Sequence, residues 1–174
     1  IRQDSSVLRK TMDHLIQTYA DETKISNADW AAGESSKQNA FLFEEWDLDV
    51  AADVDPLVQD TIGVIRLLKD IQRSGSEHAA QRFIISNCQQ ASDIFGLMQV
   101  FLWSGWQKDS LTIDFVPLFE TVDDLSRASD VMRTLYANKA YAAHLRKRGN
   151  RQTIMLGFSD STKDGGYLMA NWSI

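Results

Sequence analysis

Apolar and polar positions alternate differently in the two halves of the chain. Residues 1–80 predict a mainly helical region, because apolar residues recur there at three- and four-residue intervals. Residues 81–174 instead predict three strand-helix units. The helix starts predicted in the first half are Ser5 or Ser6, a capping box of Ser35 with Gln38, and Asp55 followed by Pro56 in a helix ending near Ser74-Gly75.

Three apolar runs in the second half predict strands, and each leads through a polar turn into a helix. The runs are Phe83–Ile85, Leu111–Phe119 and Gln152–Phe158. The first is followed by a helix over Ile94–Trp103. The second is followed by a helix capped by Thr121 and a further helix over Asn138–Lys147, and the third by a helix from Tyr167. Ile1–Gln3 fits the tail of a fourth strand. Because chain direction is the same in each unit, the strands should be parallel. The pattern predicts a helix-rich α/β fold with three to four parallel strands and long helices, in a (β/α) barrel or an open doubly wound sheet.

The length and the ends of the sequence favour part of a larger protein. A chain of 174 residues makes one domain or a portion of one. It begins at Ile1 without methionine and stops at Ile174 within a predicted helix, so both ends are expected to be cut. We therefore interpret residues 1–174 as a single fragment of a larger catalytic domain.

Charge and cysteine content exclude several classes of partner and site. The net charge of −6 argues against general binding to nucleic acid or to an anionic membrane. No apolar run reaches the length of a membrane span. Cys88, the single cysteine, excludes an internal disulfide, fits a reducing cytoplasm and is expected to be an inert, partly buried thiol. The three histidines, His14, His78 and His144, lack metal-ligand spacing and are expected to be solvated.

Candidate chemistry collects where the predicted strands end, since parallel α/β folds gather reactive groups there. These positions are Arg2, the Ser86–Gln90 turn, Glu120 and the Ser159–Asp164 loop. Glu120 and Asp160 are carboxylates on nearby strands, which suits a hard divalent cation such as Mg²⁺ or Mn²⁺. Lys163 adds a mobile positive charge for a phosphate or enolate oxygen, and Arg2 is able to hold a phosphate or carboxylate.

Each of these residues also has a purely structural interpretation. Glu120 favours the dipole of the following helix, and Asp160 is a common helix-capping residue. Lys163 alone is typical of a surface lysine. The pair Gly165-Gly166 permits a tight turn or close helix packing. Spacing therefore leaves a two-carboxylate metal site and a set of helix caps as alternatives.

Four segments resemble the phosphoenolpyruvate carboxylase family, in that family's order and at similar spacing. The segment Ile154–Gly166 resembles the family's lysine-bearing signature, with Phe158 where tyrosine is usual, and Val116–Leu125 resembles its metal-glutamate segment. The segments Ile1–Ser5 and Phe83–Ile94 are similar to an arginine-bearing strand end and to the next strand and helix. The resemblance covers essentially the whole chain, although Cys88–Ala91 departs from the commoner sequence of the family.

The resemblance implies a fold and a reaction. It favours a partial (β/α)8 TIM-type barrel and implies carboxylation of phosphoenolpyruvate by bicarbonate, giving oxaloacetate and phosphate. It implies Glu120 and Asp160 as ligands of Mg²⁺ or Mn²⁺, and Lys163 and Arg2 as catalytic residues that bind substrate, Arg2 through the phosphate. A cytoplasmic homotetramer is implied for the full-length enzyme.

The resemblance also implies that this fragment is inactive alone. The family's catalytic histidine lies upstream of the matching segment and its glycine- and arginine-rich loop lies downstream. Two alternative functions remain: another Mg²⁺-dependent barrel lyase that uses phosphoenolpyruvate, and a non-catalytic helical scaffold or interaction domain.

Overall fold

The computed structural model describes residues 1–23, 48 and 54–174. The helix predicted from Ser35 and Gln38 lies outside the described residues. The chain divides into two compact units. The first comprises Ile1–Ser5, Arg82–Ile94 and Asp114–Ile174, and the second comprises Ser6–Gln81 and Phe95–Ile113.

In the described residues, each short strand is followed by one or more helices. The strands are β1 (Arg2–Asp4), β2 (Arg82–Ser86), β3 (Asp114–Phe119) and β4 (Met155–Leu156). The α-helices are α1 (Ser5–Thr18), α2 (Ala20–Thr23), α3 (Pro56–Ser74), α4 (Ala91–Trp103), α5 (Val122–Ala137), α6 (Lys139–Lys147) and α7 (Phe158–Ser173). Two 3₁₀ turns, Glu77–Ala80 and Lys108–Ser110, precede β2 and β3.

The first unit is built on a parallel sheet, in which the described strands follow the order β1-β2-β3-β4. The register pairs Arg2 with Ile84, Phe83 with Phe115 and Leu118 with Met155. Strand β3 is buried from Phe115 to Phe119, and β2 is buried at Phe83, Ile85 and Ser86, as expected for parallel strands that are covered on both faces. The predicted parallel, helix-rich α/β organisation is confirmed.

Strand pairing explains why two strands are shorter than predicted. Asp114 pairs with Arg82, the first residue of β2, so the residues from Leu111 to Ile113 have no partner strand. The prediction that the second strand starts at Leu111 is wrong. At the other end, Leu156 pairs with Phe119, the last residue of β3. The predicted strand Gln152–Phe158 is therefore reduced to β4.

Two of the predicted helix caps are found, whereas α1 already includes Ser5 and so begins before the predicted cap at Ser5 or Ser6. Asp55 accepts a hydrogen bond from the Leu57 N–H at 2.8 Å, and Pro56 is the first residue of α3. Thr121 begins α5 with a complete capping box, in which its hydroxyl accepts from the Asp124 N–H and Asp124 accepts from the Thr121 N–H. These starts confirm the predictions at Asp55-Pro56 and Thr121.

The second unit buries the apolar faces of its helices. Buried positions on α1 and α3 recur at helical spacing: Leu8, Met12, Leu15, Ile16, Val58, Ile62, Ile65 and Leu68. Helix α4 is buried nearly all round, as predicted. The Trp106 indole N–H donates to the Ile65 carbonyl at 3.2 Å, and the Lys69 ammonium donates to the Gly105 carbonyl at 2.6 Å.

One histidine and the cysteine are buried in the first unit. His144 is 4% exposed and packs against the rings of Phe115 and Tyr141, with ring centroids 5.3 and 6.1 Å away. The prediction that all three histidines are solvated is wrong at His144, because its place on α6 turns it toward these aromatic rings. The Cys88 thiol is 0% exposed, so it is buried more completely than the partly buried thiol that was predicted.

Candidate functional site

The first unit brings three of the candidate side chains together beside the end of β3. Glu120 follows Phe119, the last residue of β3, and Asp160 lies in the first turn of α7. The Arg2 guanidinium donates from Nη2 to Glu120 Oε1 at 2.9 Å, although 118 residues separate them. Arg2 is the first residue of β1 and not its last, so its long side chain spans the remaining distance to the strand end.

Glu120 is in a mixed environment whose net effect is to raise its pKa. Burial raises the pKa of Glu120, and the nearby Asp160 carboxylate raises it further. The Arg2 charge and a hydrogen bond from the Asn87 backbone N–H lower the pKa, but the net direction is upward. A carboxylate whose pKa is raised by a neighbouring carboxylate suits a cation beside it.

Asp160 has a different set of neighbours. The Lys163 ammonium donates to Asp160 Oδ1 at 3.1 Å, one turn along α7. This hydrogen bond, with the Lys163 charge, holds the pKa of Asp160 below its usual value, and an interaction with Glu120 acts in the same direction. The Lys163–Asp160 pair is exposed, so both groups are accessible to a ligand.

The segment Ser159–Asp164 is helical, and the prediction of a loop there is wrong. Helix α7 begins at Phe158, and two hydroxyls near its start bond to carbonyls four residues back. The Ser161 hydroxyl donates to the Gly157 carbonyl at 2.6 Å, and the Thr162 hydroxyl donates to the Phe158 carbonyl at 2.7 Å. Asp160 and Lys163 are therefore held at helical spacing on one side of the first turn.

A glycine makes room for Glu120. Gly157 precedes α7, and its N–H donates to the Phe119 carbonyl at 2.8 Å. A Cβ atom at this position would lie 3.1 Å from Glu120 Cα and 3.3 Å from Glu120 Cγ. Its φ of −86° is open to any residue, so the need for glycine here is spatial.

The turn after β2 contributes a backbone group that side-chain reasoning missed. Asn87 has a φ of 53°, in the left-handed region that asparagine tolerates better than most residues. The buried Ser5 hydroxyl donates to the Asn87 carbonyl at 2.7 Å, while the Asn87 N–H bonds to Glu120. The Ser86–Gln90 turn itself was predicted; the asparagine directly after an apolar strand was the signal for its backbone role.

The donor set fits a hard divalent cation in part. Carboxylate oxygens are the ligands that Mg²⁺ and Mn²⁺ prefer, and Glu120 and Asp160 supply one carboxylate each. Within residues 1–23, 48 and 54–174, no group of three or more His, Cys, Asp or Glu side chains is placed to hold a metal. A cation bound by this pair would complete its shell with water or substrate oxygens.

The whole chain, residues 1–174, matches the phosphoenolpyruvate carboxylase family. This chain belongs to that family. It is 34% identical over 184 residues to the phosphoenolpyruvate carboxylase of Xanthomonas euvesicatoria, 31% over 192 residues to that of Rhodothermus marinus, and 29% over 185 residues to that of Nitrosomonas eutropha. Each alignment covers 100% of this chain.

The chain spans about a fifth of the length of these carboxylases, 19–20% in the three cases above. The family membership agrees with the four segments that resembled it in the sequence. In the described part of the chain, no helix is both long and apolar enough to cross a membrane.

Proposed function

We propose that this chain forms part of the catalytic region of a phosphoenolpyruvate carboxylase, which carboxylates phosphoenolpyruvate with bicarbonate to oxaloacetate and phosphate. The observation that carries the proposal is the cluster of Arg2, Glu120, Asp160 and Lys163 in one compact unit of a member of this family. A group of opposite charges at the end of a buried parallel strand is typical of a site for an anionic substrate and a cation.

The sheet supports a place within a TIM-type barrel. The described strands are parallel, and each pairs with the strand next to it in the sequence. Neighbouring strands in a (β/α)8 barrel follow this order, and active sites of such barrels lie at the carboxyl ends of the strands. We infer that the first unit is one arc of such a barrel within a cytoplasmic homotetramer.

Glu120 and Asp160 would hold Mg²⁺ or Mn²⁺. When bound, the cation supplies Lewis-acid stabilisation of negative oxygen on the substrate. Arg2 and Lys163 neutralise these carboxylates in the structure, with Nη2–Oε1 and Nζ–Oδ1 distances of 2.9 and 3.1 Å. Both side chains are more than half exposed, and they would turn toward the substrate once a cation replaced them.

The positive side chains would then act on charge that develops in the reaction. Arg2 would bind the phosphate of phosphoenolpyruvate, where bicarbonate attacks the phosphorus atom to give carboxyphosphate and the enolate of pyruvate. Lys163 would stabilise negative oxygen in this step and in the later capture of carbon dioxide by the enolate. Fixed positive groups aimed at developing charge are among the largest contributions to enzyme catalysis.

The test is an assay of the full-length protein that we propose contains this chain. Oxaloacetate formation is followed as NADH oxidation by added malate dehydrogenase, with phosphoenolpyruvate, bicarbonate and Mn²⁺. We expect turnover that needs both bicarbonate and the metal ion. Metal-dependent consumption of phosphoenolpyruvate without oxaloacetate would favour another lyase, and no consumption would favour a scaffold; either result overturns the proposal.

The isolated 174-residue chain is expected to be inactive in the same assay. Its two carboxylates provide only part of a six-ligand shell, and the family's catalytic histidine has no counterpart in this sequence. Losing a well-placed acid–base group costs about 10²–10⁴ in rate. Turnover by the purified chain, free of full-length enzyme, would show that the essential residues lie within it.

A further inference from the structure

Helix α7 is attached to the start of α5 by a side chain that is not part of the proposed metal site. Asp164 Oδ2 accepts a hydrogen bond from the Val122 N–H at 2.9 Å. Val122 is the first residue of α5, and the first N–H groups of a helix have no partner within the helix. The capping box of Thr121 and Asp124 satisfies neighbouring N–H groups, so Asp164 adds an acceptor that this box does not provide.

The next residue allows the two helices to approach each other closely. A Cβ atom at Gly165 would lie 2.5 Å from Val122 Cγ2, a separation that real Cβ atoms do not show, and 3.2 Å from Met169 Cγ. Gly166 is different, because it has a φ of +79° with no atom within 4 Å of its Cβ position. Gly165 is therefore needed for space, whereas Gly166 is needed for the kink between the two segments of α7.

These contacts join the two chain segments that carry the carboxylates. Val122 follows Glu120 by two residues, and Asp164 follows Asp160 by four residues, which is about one turn of α-helix. A shift of α7 against Val122 would therefore move Asp160 and Lys163 relative to Glu120. The separation of the two carboxylates depends on this attachment as well as on their own side-chain conformations.

We propose that Asp164 and Gly165 are positioning residues that dock the first segment of α7 on Val122 and thereby set the distance between the Glu120 and Asp160 carboxylates. The inference rests on the proposed function, since the distance matters for function only if the two carboxylates share a cation. Residues behind a metal ligand that fix its orientation typically contribute about 10- to 100-fold to metal affinity.

The test measures Mn²⁺ affinity of the full-length protein by electron paramagnetic resonance of the free ion, which does not depend on turnover. Gly165→Ala should weaken Mn²⁺ binding by about 10-fold, because the new methyl group collides with Val122. Val122→Ala removes the colliding atom, so the double variant should return most of the lost affinity. Gly63→Ala, on α3, is the matched control, since its Cβ would meet no atom within 4 Å.

A second pair of variants tests the hydrogen bond without adding bulk. Asp164→Ala removes the acceptor for the Val122 N–H and should weaken Mn²⁺ binding by about 10-fold. Asp164→Asn keeps an acceptor oxygen of the same shape and should stay near the wild-type affinity. This pair decides the question even if Gly165→Ala does not fold.

The possible results separate this inference from the proposed function. If the wild-type protein does not bind Mn²⁺, or Asp160→Asn binds it as well as wild type, the proposed metal site is wrong. If the wild type binds Mn²⁺ and Asp160→Asn does not, but Asp164→Ala matches the wild type, the positioning role is overturned. Weak binding by Gly165→Ala that Val122→Ala fails to improve would also contradict it.

Discussion

Ion pairs lie at both ends of strand β3, but the pairs differ in solvent exposure and in their charged neighbours. At the amino end, the Arg148 guanidinium donates from Nε to Asp114 Oδ1 at 2.7 Å, and the two side chains are only 14% and 24% exposed. At the carboxyl end, the Lys163–Asp160 pair is 73% and 49% exposed, and a second carboxylate, Glu120, lies beside it.

The side chains near the amino end of β3 also form hydrogen bonds with one another and with the backbone. Near the amino end, the Tyr141 hydroxyl donates to Gln152 Oε1, and Gln152 Nε2 donates to the Phe115 and Thr153 carbonyls, each at 2.8 Å. Burial strongly raises the pKa of Tyr141, so this network stays neutral. A closed, neutral network contributes to stability, whereas adjacent like charges with exposed counter-charges favour a ligand.

Among changes at the carboxyl end of β3, neutralising one carboxylate of the Glu120–Asp160 pair should lower Mn²⁺ affinity the most. Asp160→Asn in the full-length protein removes the charge of one of the two proposed metal ligands, so Mn²⁺ affinity and metal-activated turnover should fall by about 100-fold or more. The matched control is Asp130→Asn on α5, where Asp130 forms a similar i, i+3 pair with Arg133. An equal loss of Mn²⁺ affinity in Asp160→Asn and Asp130→Asn would mean that Asp160 is not a metal ligand.

Lys163→Ala should lower turnover by about 10²-fold, the typical cost of removing one group that stabilises developing charge. Mn²⁺ binding should be retained, because the ammonium competes with a cation for Asp160. Lys139→Ala, an exposed lysine on α6, serves as the control. Normal turnover of Lys163→Ala at saturating metal would show that Lys163 takes no part in the reaction.

Sequence patterns predicted the parts of this site that depend on neighbouring residues. The exit of Glu120 from a buried strand and the cap at Thr121 follow from a few adjacent positions, and both are found. The Arg2–Glu120 pair could not be derived, because it depends on how strands far apart in sequence align.

The errors have physical causes of the same kind. Ser161 and Thr162 are common in turns, but here both lie near the start of α7 and their hydroxyls bond to carbonyls four residues back. Leu111 and Ile113 are apolar and buried without being in a strand, because β2 has no residue left to pair with them. A pattern of burial therefore predicts the core better than it predicts strand limits.

A smaller effect is expected from crowding Glu120 without changing a charge. Gly157→Ala places a methyl group 3.1 Å from Glu120 Cα, so the carboxylate must move, and Mn²⁺ affinity should fall by about 10-fold. The φ of Gly157 is open to alanine, so the thermal midpoint should fall only by the cost of this one close contact. Unchanged Mn²⁺ binding would show that the position of Glu120 is not critical.

At the amino end of β3, breaking the ion pair should lower the stability of the protein and leave metal binding unchanged. Arg148→Ala removes a largely buried partner of Asp114 and should lower the free energy of unfolding by about 1–2 kcal/mol, measured by urea denaturation. Mn²⁺ affinity should be unchanged. Arg133→Ala, which breaks an exposed pair, should cost less than about 1 kcal/mol. A loss of metal binding in Arg148→Ala would mean that the two ends are coupled.

The most direct measurement is a crystal structure of the full-length protein soaked in Mn²⁺, with anomalous diffraction used to locate the ion. The account predicts one anomalous peak between Glu120 and Asp160, about 2.0–2.6 Å from an oxygen of each carboxylate. The peak should disappear in Asp160→Asn. A fully occupied Mn²⁺ bound elsewhere, with the two carboxylates still paired to Arg2 and Lys163, would contradict the central claim.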